Sequence, residues 1–191
     1  MIEAELKARV LDPESVLDGL EKLASGRAEV YQDTYYDDAE RTLTATDQEL
    51  RIRTVHGAET VSLMTYKGAR VDEASGSKPE HETCVEDVAA AHALLRGLGY
   101  TPTIEFEKRC RNYDLERGGR QVLATLVRVP ELDETFIEIE TLVKGSEDVA
   151  DALDVVREVL GTLGIGDDAY TTELYTDAVA ARRSAAQSGD R

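Results

Sequence analysis

Cysteine, basic side chains and long apolar runs are all scarce in this chain of 191 residues. Two cysteines, Cys84 and Cys110, are too few for a disulfide framework and lack the C-x-x-C spacing of a zinc site. No apolar run approaches the roughly 20 residues of a membrane span, and the N-terminus carries no signal peptide, so we expect a cytoplasmic protein without a membrane partner. The 22 Lys and Arg residues are outnumbered by 39 Asp and Glu residues, which argues against binding nucleic acid, whose phosphates need clustered basic groups.

The rest of the composition is that of a globular protein, with 41% hydrophobic residues arranged in strand and helix patterns. Period-two alternation predicts strands at residues 3–10, 30–36, 49–55, 60–67, 80–85, 103–113, 121–129 and 136–143. Helical spacing predicts helices at residues 13–25, 87–98 and 146–163. Short connections between strands indicate a largely antiparallel sheet in an α+β chain. We expect a single domain over residues 1–177 and a disordered tail over residues 178–191, where the sequence has low complexity.

Several predicted strands carry charges on one face and apolar side chains on the other, because residues two apart share a face. The charged sets are Glu3, Glu5, Lys7 and Arg9; Arg51 and Arg53; Glu80 and Glu82; Glu105, Glu107, Arg109 and Arg111; and Glu138 and Glu140. One interpretation is an open sheet with a solvated face, on which the charges pair across strands. The other is a curled sheet whose charged face lines a lumen, where glutamates hold a divalent cation and basic groups hold a polyphosphate.

Seven short motifs follow one another between residues 3 and 140. They are Glu3–Lys7 (EAELK), Asp33–Asp37 (DTYYD), Leu50–Arg53 (LRIR), Thr65–Gly68 (TYKG), Lys78–Glu82 (KPEHE), Glu107–Tyr113 (EKRCRNY) and Phe136–Glu140 (FIEIE). In this order they resemble the CYTH superfamily, the triphosphate tunnel metalloenzymes, which includes class IV adenylyl cyclases, thiamine triphosphatases and inorganic triphosphatases. The resemblance implies an eight-stranded antiparallel β-barrel, the triphosphate tunnel, with flanking helices.

By motif position, the resemblance also implies three sets of site residues. The ligands of Mg²⁺ or Mn²⁺ would be Glu3, Glu5, Glu80, Glu82, Glu138 and Glu140. The triphosphate-binding residues would be Lys7, Arg51, Arg53, Lys67, Lys78, Arg109 and Arg111, of which Lys7, Arg53 and Lys67 would be catalytic. Lys108 stays open, because alternation places it on the outer face although the family's K-x-R motif can be read from residue 108 or 109.

Three positions depart from the family pattern. Val127 stands where family members usually carry an Asp ahead of the closing FIEIE motif, and Asp133 is the nearby substitute for that metal ligand. Lys78 replaces an Arg and therefore keeps the charge but loses bidentate phosphate geometry. Thr172–Tyr175 matches the family's C-terminal Ser-Tyr element only loosely.

The resemblance leaves three functions open. A cyclase would convert ATP to cyclic AMP and pyrophosphate, through attack of the ribose 3′-hydroxyl on the α-phosphorus. A triphosphatase would direct water at the terminal phosphorus of thiamine triphosphate or inorganic triphosphate. The segment Leu98–Pro102 followed by Glu107 and Lys108 resembles class IV adenylyl cyclases and favours the cyclase. A non-catalytic triphosphate-binding module is the third function, and a homodimer is left open.

Overall fold

Eight antiparallel strands close into a barrel in the computed structural model, which describes residues 1–72 and 75–189. The strands are β1 (Ile2–Val10), β2 (Arg27–Asp37), β3 (Glu49–His56), β4 (Thr60–Lys67), β5 (Lys78–Cys84), β6 (Thr101–Arg117), β7 (Arg120–Arg128) and β8 (Thr135–Val143). The helices are α1 (Pro13–Leu23), α2 (Thr42–Ala45), α3 (Val88–Gly97), α4 (Val149–Thr162) and α5 (Tyr175–Gly189). Around the barrel the order is β1-β5-β4-β3-β2-β6-β7-β8. The predicted α+β fold, an eight-stranded antiparallel β-barrel with flanking helices, is confirmed.

Helices α1 and α4 cover the outer face of β1. Alternation places Ala4, Leu6 and Ala8 on that face, and all three are buried in one apolar cluster with both helices. α1 begins with Pro13 at its first position, and the Asp12 side chain accepts a hydrogen bond of 3.1 Å from the backbone N–H of Ser15. Because burial removes these apolar side chains from water, the charged side chains of β1 are left on the inside of the barrel.

The barrel closes at β1, whose two edges are paired to very different extents. With β8 it forms nine cross-strand pairs, from Ile2 opposite Val143 to Val10 opposite Thr135. With β5 the described register contains two pairs, Ile2 with Pro79 and Glu3 with Lys78. The N-terminal strand therefore joins the middle of the chain to its last strand.

An apolar cluster fills part of the barrel interior and is covered by α5. Its buried members are Tyr35, Phe106, Cys110, Val127, Val129, Leu132, Phe136, Tyr175 and Val179. The structure departs here from the predicted disordered tail, because residues 178–189 belong to α5, while residues 190 and 191 lie outside the described residues. The alanine-rich segment favours a helix, Val179 is fully buried, and Arg183 Nε donates to Glu131 at 2.7 Å.

None of the described helices combines the length and the apolar character needed to cross a bilayer.

Candidate active site

The charged strand faces line a tunnel with a cavity of about 310 Å³. Among the described residues, the carboxylates that line it are Glu3, Glu5, Glu49, Glu80, Glu82, Glu138 and Glu140. The basic side chains that line it are Lys7, Arg51, Arg53, Lys67, Arg70, Lys78 and Lys108. The closed barrel thus excludes the open-sheet interpretation and leaves the curled sheet with a charged lumen.

Three carboxylates converge where β1 and β8 pair. Glu5 lies directly opposite Glu140, and single oxygens of Glu3, Glu5 and Glu140 lie within 4.8 Å of one another. Burial, Glu138 and Glu3 raise the pKa of Glu5 to about 7, and burial with Glu3 and Glu5 raises the pKa of Glu140 well above its ordinary value. Converging oxygen ligands whose charges repel one another fit a hard divalent cation such as Mg²⁺ or Mn²⁺.

Glu3 differs from the other two carboxylates because Lys67 contacts it directly. Burial alone would raise the pKa of Glu3, but the ammonium of Lys67 lowers it to about 2. Lys67 also reaches Glu80 at 3.1 Å, so the same cation links the neighbouring strands β1, β5 and β4 along one wall of the tunnel. The contact with Lys67 therefore favours the ionised form of Glu3.

The other predicted metal ligands are not among the carboxylates whose oxygens converge within 4.8 Å. Glu138 faces Lys7 across the β1–β8 pair, and although burial raises its pKa, Lys108 and Lys7 hold it below its ordinary value. Glu82 is exposed and accepts a hydrogen bond of 2.8 Å from the Thr65 hydroxyl. The structure therefore brings together three of the six predicted ligands and places Glu80, Glu82 and Glu138 beside protein partners.

Lys7 and Lys108 meet over the ring of Tyr175. Their ammonium groups lie 4.5 and 4.1 Å from the ring centroid, and Lys7 also donates to the backbone carbonyl of Glu173. Burial lowers the pKa of Lys7, despite the opposing effect of Glu138. The Tyr175 hydroxyl is buried and has no hydrogen-bond partner of good geometry among the described residues. It nevertheless lies close enough to Glu138 to lower the pKa of that carboxyl.

The family model described as the CYTH domain matches residues 1–175 of the chain. The chain belongs to the CYTH family.

Relatives of this CYTH protein cover nearly its whole length. A protein of Methanocaldococcus jannaschii named "Putative adenylate cyclase MJ0240" is 27% identical over 179 residues, which is 93% of this chain and 98% of the relative. The solved structure of PH1819 from Pyrococcus horikoshii OT3 is 30% identical, with a TM-score of 0.84 over 94% of this chain and 99% of that one. The Hippeastrum protein HpAC1 is described as a putative adenylyl cyclase with a dominant triphosphatase activity. It is 18% identical, with a TM-score of 0.64 over 95% of this chain and 96% of that one, and this similarity shows the fold alone.

The basic residues of β6 depart from the prediction for this CYTH protein. Arg109 and Arg111 point away from the tunnel: the Arg109 side chain is 67% exposed, and Arg111 Nη2 donates to Glu21 at 2.6 Å. Lys108 lines the tunnel instead. The prediction assumed that apolar residues of β6 face outward, but Phe106 and Cys110 belong to the apolar interior cluster, so the neighbouring charges face solvent.

Lys78 lines the tunnel as predicted, but its ammonium group already has three acceptors. They are the Asp47 carbonyl at 3.0 Å, the Asp47 carboxylate at 3.1 Å and the Glu49 carboxylate at 2.7 Å. An ammonium group has three protons to donate, so these contacts saturate it. Lys78 thus ties the start of β5 to the start of β3 and is not free to bind phosphate in this structure.

The missing family carboxylate has no replacement on β7. Thr125 lies opposite Glu138 and Leu123 opposite Glu140, while Val127 is buried in the apolar cluster. Asp133, the substitute suggested by the sequence, has a side chain that is 83% exposed and pairs with Arg182. On β1, Glu140 therefore faces the carboxylate of Glu5 and Glu138 faces Lys7, while neither has an acidic partner on β7.

Sequence reasoning missed Asp33, Glu49 and the role of Tyr175. Asp33 belongs to the DTYYD motif, and its position two residues before an inward Tyr was the available signal. Glu49 lies two residues before Arg51 and shares its face, so alternation also pointed to it. For Tyr175 the available signal was the loose match of Thr172–Tyr175 to the family's Ser-Tyr element, which does not show that α5 folds back and places this side chain in the tunnel.

Proposed function

We propose that this CYTH protein is a divalent-metal-dependent triphosphatase that cleaves the terminal phosphoryl group of a small triphosphate in the tunnel. The supporting observation is that Glu3, Glu5 and Glu140 converge in the same lumen as Arg51 and Lys67. Carboxylates suit a hard cation and basic groups suit phosphate oxygens. A ligand that offers both is a metal–triphosphate complex.

The donor set fits Mg²⁺ or Mn²⁺, with Glu3, Glu5 and Glu140 as the residues that would hold it. When bound, the ion would neutralise phosphate oxygens and so lower the cost of charge that builds up during phosphoryl transfer. Arg51 and Lys67 would bind non-bridging oxygens and fix the triphosphate along the tunnel.

Lys7 is the proposed proton acceptor. Water attacks the terminal phosphorus, the bond to the bridging oxygen breaks, and the diphosphate leaves with the electron pair. The proton of the water passes to Lys7 Nζ, which burial makes easier to deprotonate beforehand. Glu138, opposite Lys7, would then stabilise the ammonium group that forms.

The contacts of the tyrosine rings in the tunnel favour hydrolysis over cyclisation. Cyclisation requires an adenine to be held so that the ribose 3′-hydroxyl meets the α-phosphorus. The three tyrosine rings that line the described tunnel are already engaged: Tyr31 with Arg53 at 4.3 Å, Tyr35 stacked on Phe106 at 5.7 Å, and Tyr175 beneath two lysines. At least one face of each ring is therefore occupied in this arrangement, which leaves less aromatic surface on which a purine can stack.

Adenylyl cyclase activity is the second candidate. It is favoured by the name of the Methanocaldococcus jannaschii relative and by the Leu98–Pro102 segment. A binding module without turnover is the third, and it is disfavoured because three converging carboxylates would weaken a simple anion pocket.

The deciding experiment is a product assay with ATP, thiamine triphosphate and inorganic triphosphate in parallel, each with Mg²⁺, Mn²⁺ or EDTA. We expect orthophosphate that depends on the metal, and a fall in kcat of about 100-fold in Glu5→Gln. The matched control is Glu116→Gln, an exposed glutamate outside the tunnel. Formation of cyclic AMP with an equal amount of pyrophosphate would contradict the triphosphatase and support the adenylyl cyclase. Tight binding without any product would support the non-catalytic binding module.

A further inference from the structure

Asp33 is a buried carboxylate between the two arginines of β3. It is 2% exposed and lies directly opposite Arg53 in the β2–β3 register. Its two oxygens accept hydrogen bonds from Arg53 Nε at 2.6 Å and Nη2 at 2.7 Å, and Arg51 Nη1 lies 4.0 Å away. Burial would raise the pKa of Asp33, but Arg53 and Arg51 hold it well below its ordinary value, so Asp33 is ionised.

These contacts hold Arg53 on two sides. The bidentate hydrogen bond to Asp33 occupies the Nε–Nη2 edge of its guanidinium. The guanidinium carbon Cζ lies over the Tyr31 ring, 4.3 Å from the ring centroid. Asp33 also neutralises its charge at short range. A neutralised pair attracts an anionic ligand less than a free cation does.

Arg51 shares the same face but has no such partner. It is 9% exposed, its Nε has no hydrogen-bond partner among the described residues, and its Nη2 reaches Thr65 only at 3.4 Å. A buried guanidinium with unfilled donors in a charged lumen is costly unless an anion completes it. The two arginines of Leu50–Arg53 are therefore unequal although the sequence presents them as equivalent.

We propose that Asp33 is a positioning residue: it holds Arg53 as a neutralised pair and so leaves Arg51 as the guanidinium that binds the triphosphate. The inference rests on the proposed function, because it concerns the same ligand. Without the Asp33 charge, Arg53 is released to compete for the phosphates. The triphosphate is then bound in a mixture of positions along the tunnel, so turnover falls although binding does not.

The first test measures the binding of inorganic triphosphate by calorimetry in EDTA, where no turnover interferes. Arg51→Gln should weaken binding by about 30-fold or more, because it removes charge-assisted hydrogen bonds, whereas Arg53→Gln should weaken it by less than about fivefold. Arg157→Gln, an exposed arginine on α4, is the control and should bind as the wild type does. Equal losses in Arg51→Gln and Arg53→Gln would overturn the proposal.

The second test asks whether Asp33 acts through Arg53. Asp33→Asn should lower KM by about twofold or more and reduce kcat about tenfold, and in that background Arg53→Gln should weaken binding by tenfold or more. An effect of Arg53→Gln that is the same in both backgrounds would overturn the inference. If Asp33→Asn fails to fold, the comparison of Arg51→Gln with Arg53→Gln still tests whether the two arginines contribute unequally to binding. The double variant Asp33→Asn/Arg53→Gln, which removes both buried charges, should then bind the triphosphate as tightly as Arg53→Gln does.

The same measurements separate this inference from the proposed function. If the wild-type protein neither binds nor cleaves any of the three triphosphates, the proposed function fails, and the inference falls with it. If the wild type is active and the two arginines are equivalent, only the inference fails.

Discussion

Lys108 and Arg109 are adjacent in β6 and carry the same charge, but they have opposite surroundings. Lys108 is 5% exposed and lies over Tyr175 in the tunnel, whereas Arg109 Nε pairs with Glu107 at 3.0 Å on the outside. An exposed pair of this kind contributes little to stability, while a buried cation in a binding site acts at low effective dielectric. Position on the strand, rather than charge, decides which of the two can meet a phosphate.

We therefore expect Lys108→Gln to reduce kcat/KM for the preferred triphosphate by about tenfold or more, and Arg109→Gln to change it by less than about twofold. Initial rates over a range of substrate concentrations, with circular dichroism to confirm folding, provide the measurement. A loss in Arg109→Gln as large as that in Lys108→Gln would contradict the placement of β6.

Asp47 joins the two loops that flank β3 and β5 at one end of the tunnel. Its carboxylate accepts hydrogen bonds from Arg70 Nε at 2.7 Å, Arg70 Nη2 at 2.8 Å and the Arg70 backbone N–H at 3.0 Å, and it pairs with Lys78 at 3.1 Å. The hydrogen bond to the Arg70 side chain, together with Lys78, lowers its pKa. Its φ of 57° is left-handed, a conformation that Asn also tolerates.

Asp47→Asn should lower the free energy of unfolding at pH 7 by about 1–2 kcal/mol, because it removes charge-assisted hydrogen bonds from a side chain that is 28% exposed. Since the folded pKa lies below the unfolded one, this stabilisation is present above about pH 4 and is lost as the pH falls through the folded pKa. Urea titrations of both proteins at pH 7 and near pH 3 should show a difference that shrinks with acidity. A constant or growing difference would contradict the assigned pKa direction.

At the scale of elements, α5 acts as a cover for the tunnel interior. Tyr175 packs edge-on against Phe136 with ring centroids 5.2 Å apart, Val179 is fully buried, and Arg183 bonds to Glu131 and to the Glu105 carbonyl. The helix is thus attached to the inner cluster by side chains rather than by backbone pairing.

Val179→Asp should release α5 from the barrel, because it places an unpaired carboxylate in an apolar cluster. Amide hydrogen exchange over residues 174–189 should accelerate by about tenfold or more, while β1 and β8 keep their protection. Ala180→Asp, one position further along and exposed, is the matched control and should leave exchange unchanged. If both variants behave alike, α5 is not held by Val179.

Local pattern predicted some elements well and others poorly, for identifiable reasons. In β1 and β3 the apolar face is covered by helices, so alternation correctly separated Glu3, Glu5 and Arg51 from their neighbours. In β6 the inner face is partly apolar, and the same rule placed Lys108 outside. The tail of the chain reads as low complexity, but α5 is stabilised by contacts with β6, which no local window contains.

At the scale of the whole molecule, three of the six carboxylates predicted as metal ligands converge, and the barrel register decides which three. Spacing along a strand shows which residues share a face, but the register around a closed barrel decides which faces meet. Glu5 opposite Glu140 is a pairing between the first and the last strand. Glu138, two residues before Glu140 on β8, lies opposite Lys7 instead, so the sequence alone could not separate it from the three converging carboxylates.

Metal binding should stabilise the whole fold, because the three carboxylates repel one another when the cation is absent. At a Mg²⁺ concentration of about 100 times Kd, the gain is about 2.7 kcal/mol, and the Tm of the wild type should rise accordingly. Glu140→Gln should raise the Tm in EDTA or leave it unchanged, and should abolish the response to Mg²⁺. Glu82→Gln, outside the three-carboxylate cluster, should keep that response, and a lost response there would place Glu82 among the metal ligands.

The pairing of β1 with both β5 and β8 has a consequence for how the protein is made. Of the eight barrel strands β1 is synthesised first, whereas β8, with which it forms nine pairs, is synthesised last. Until then, Ala4, Leu6 and Ala8 cannot be buried as they are in the finished barrel, and one backbone edge of β1 lacks its main partner. We therefore expect one edge of β1 to lack its main partner in the nascent chain until β8 is made, and barrel closure to be a late, long-range step of folding.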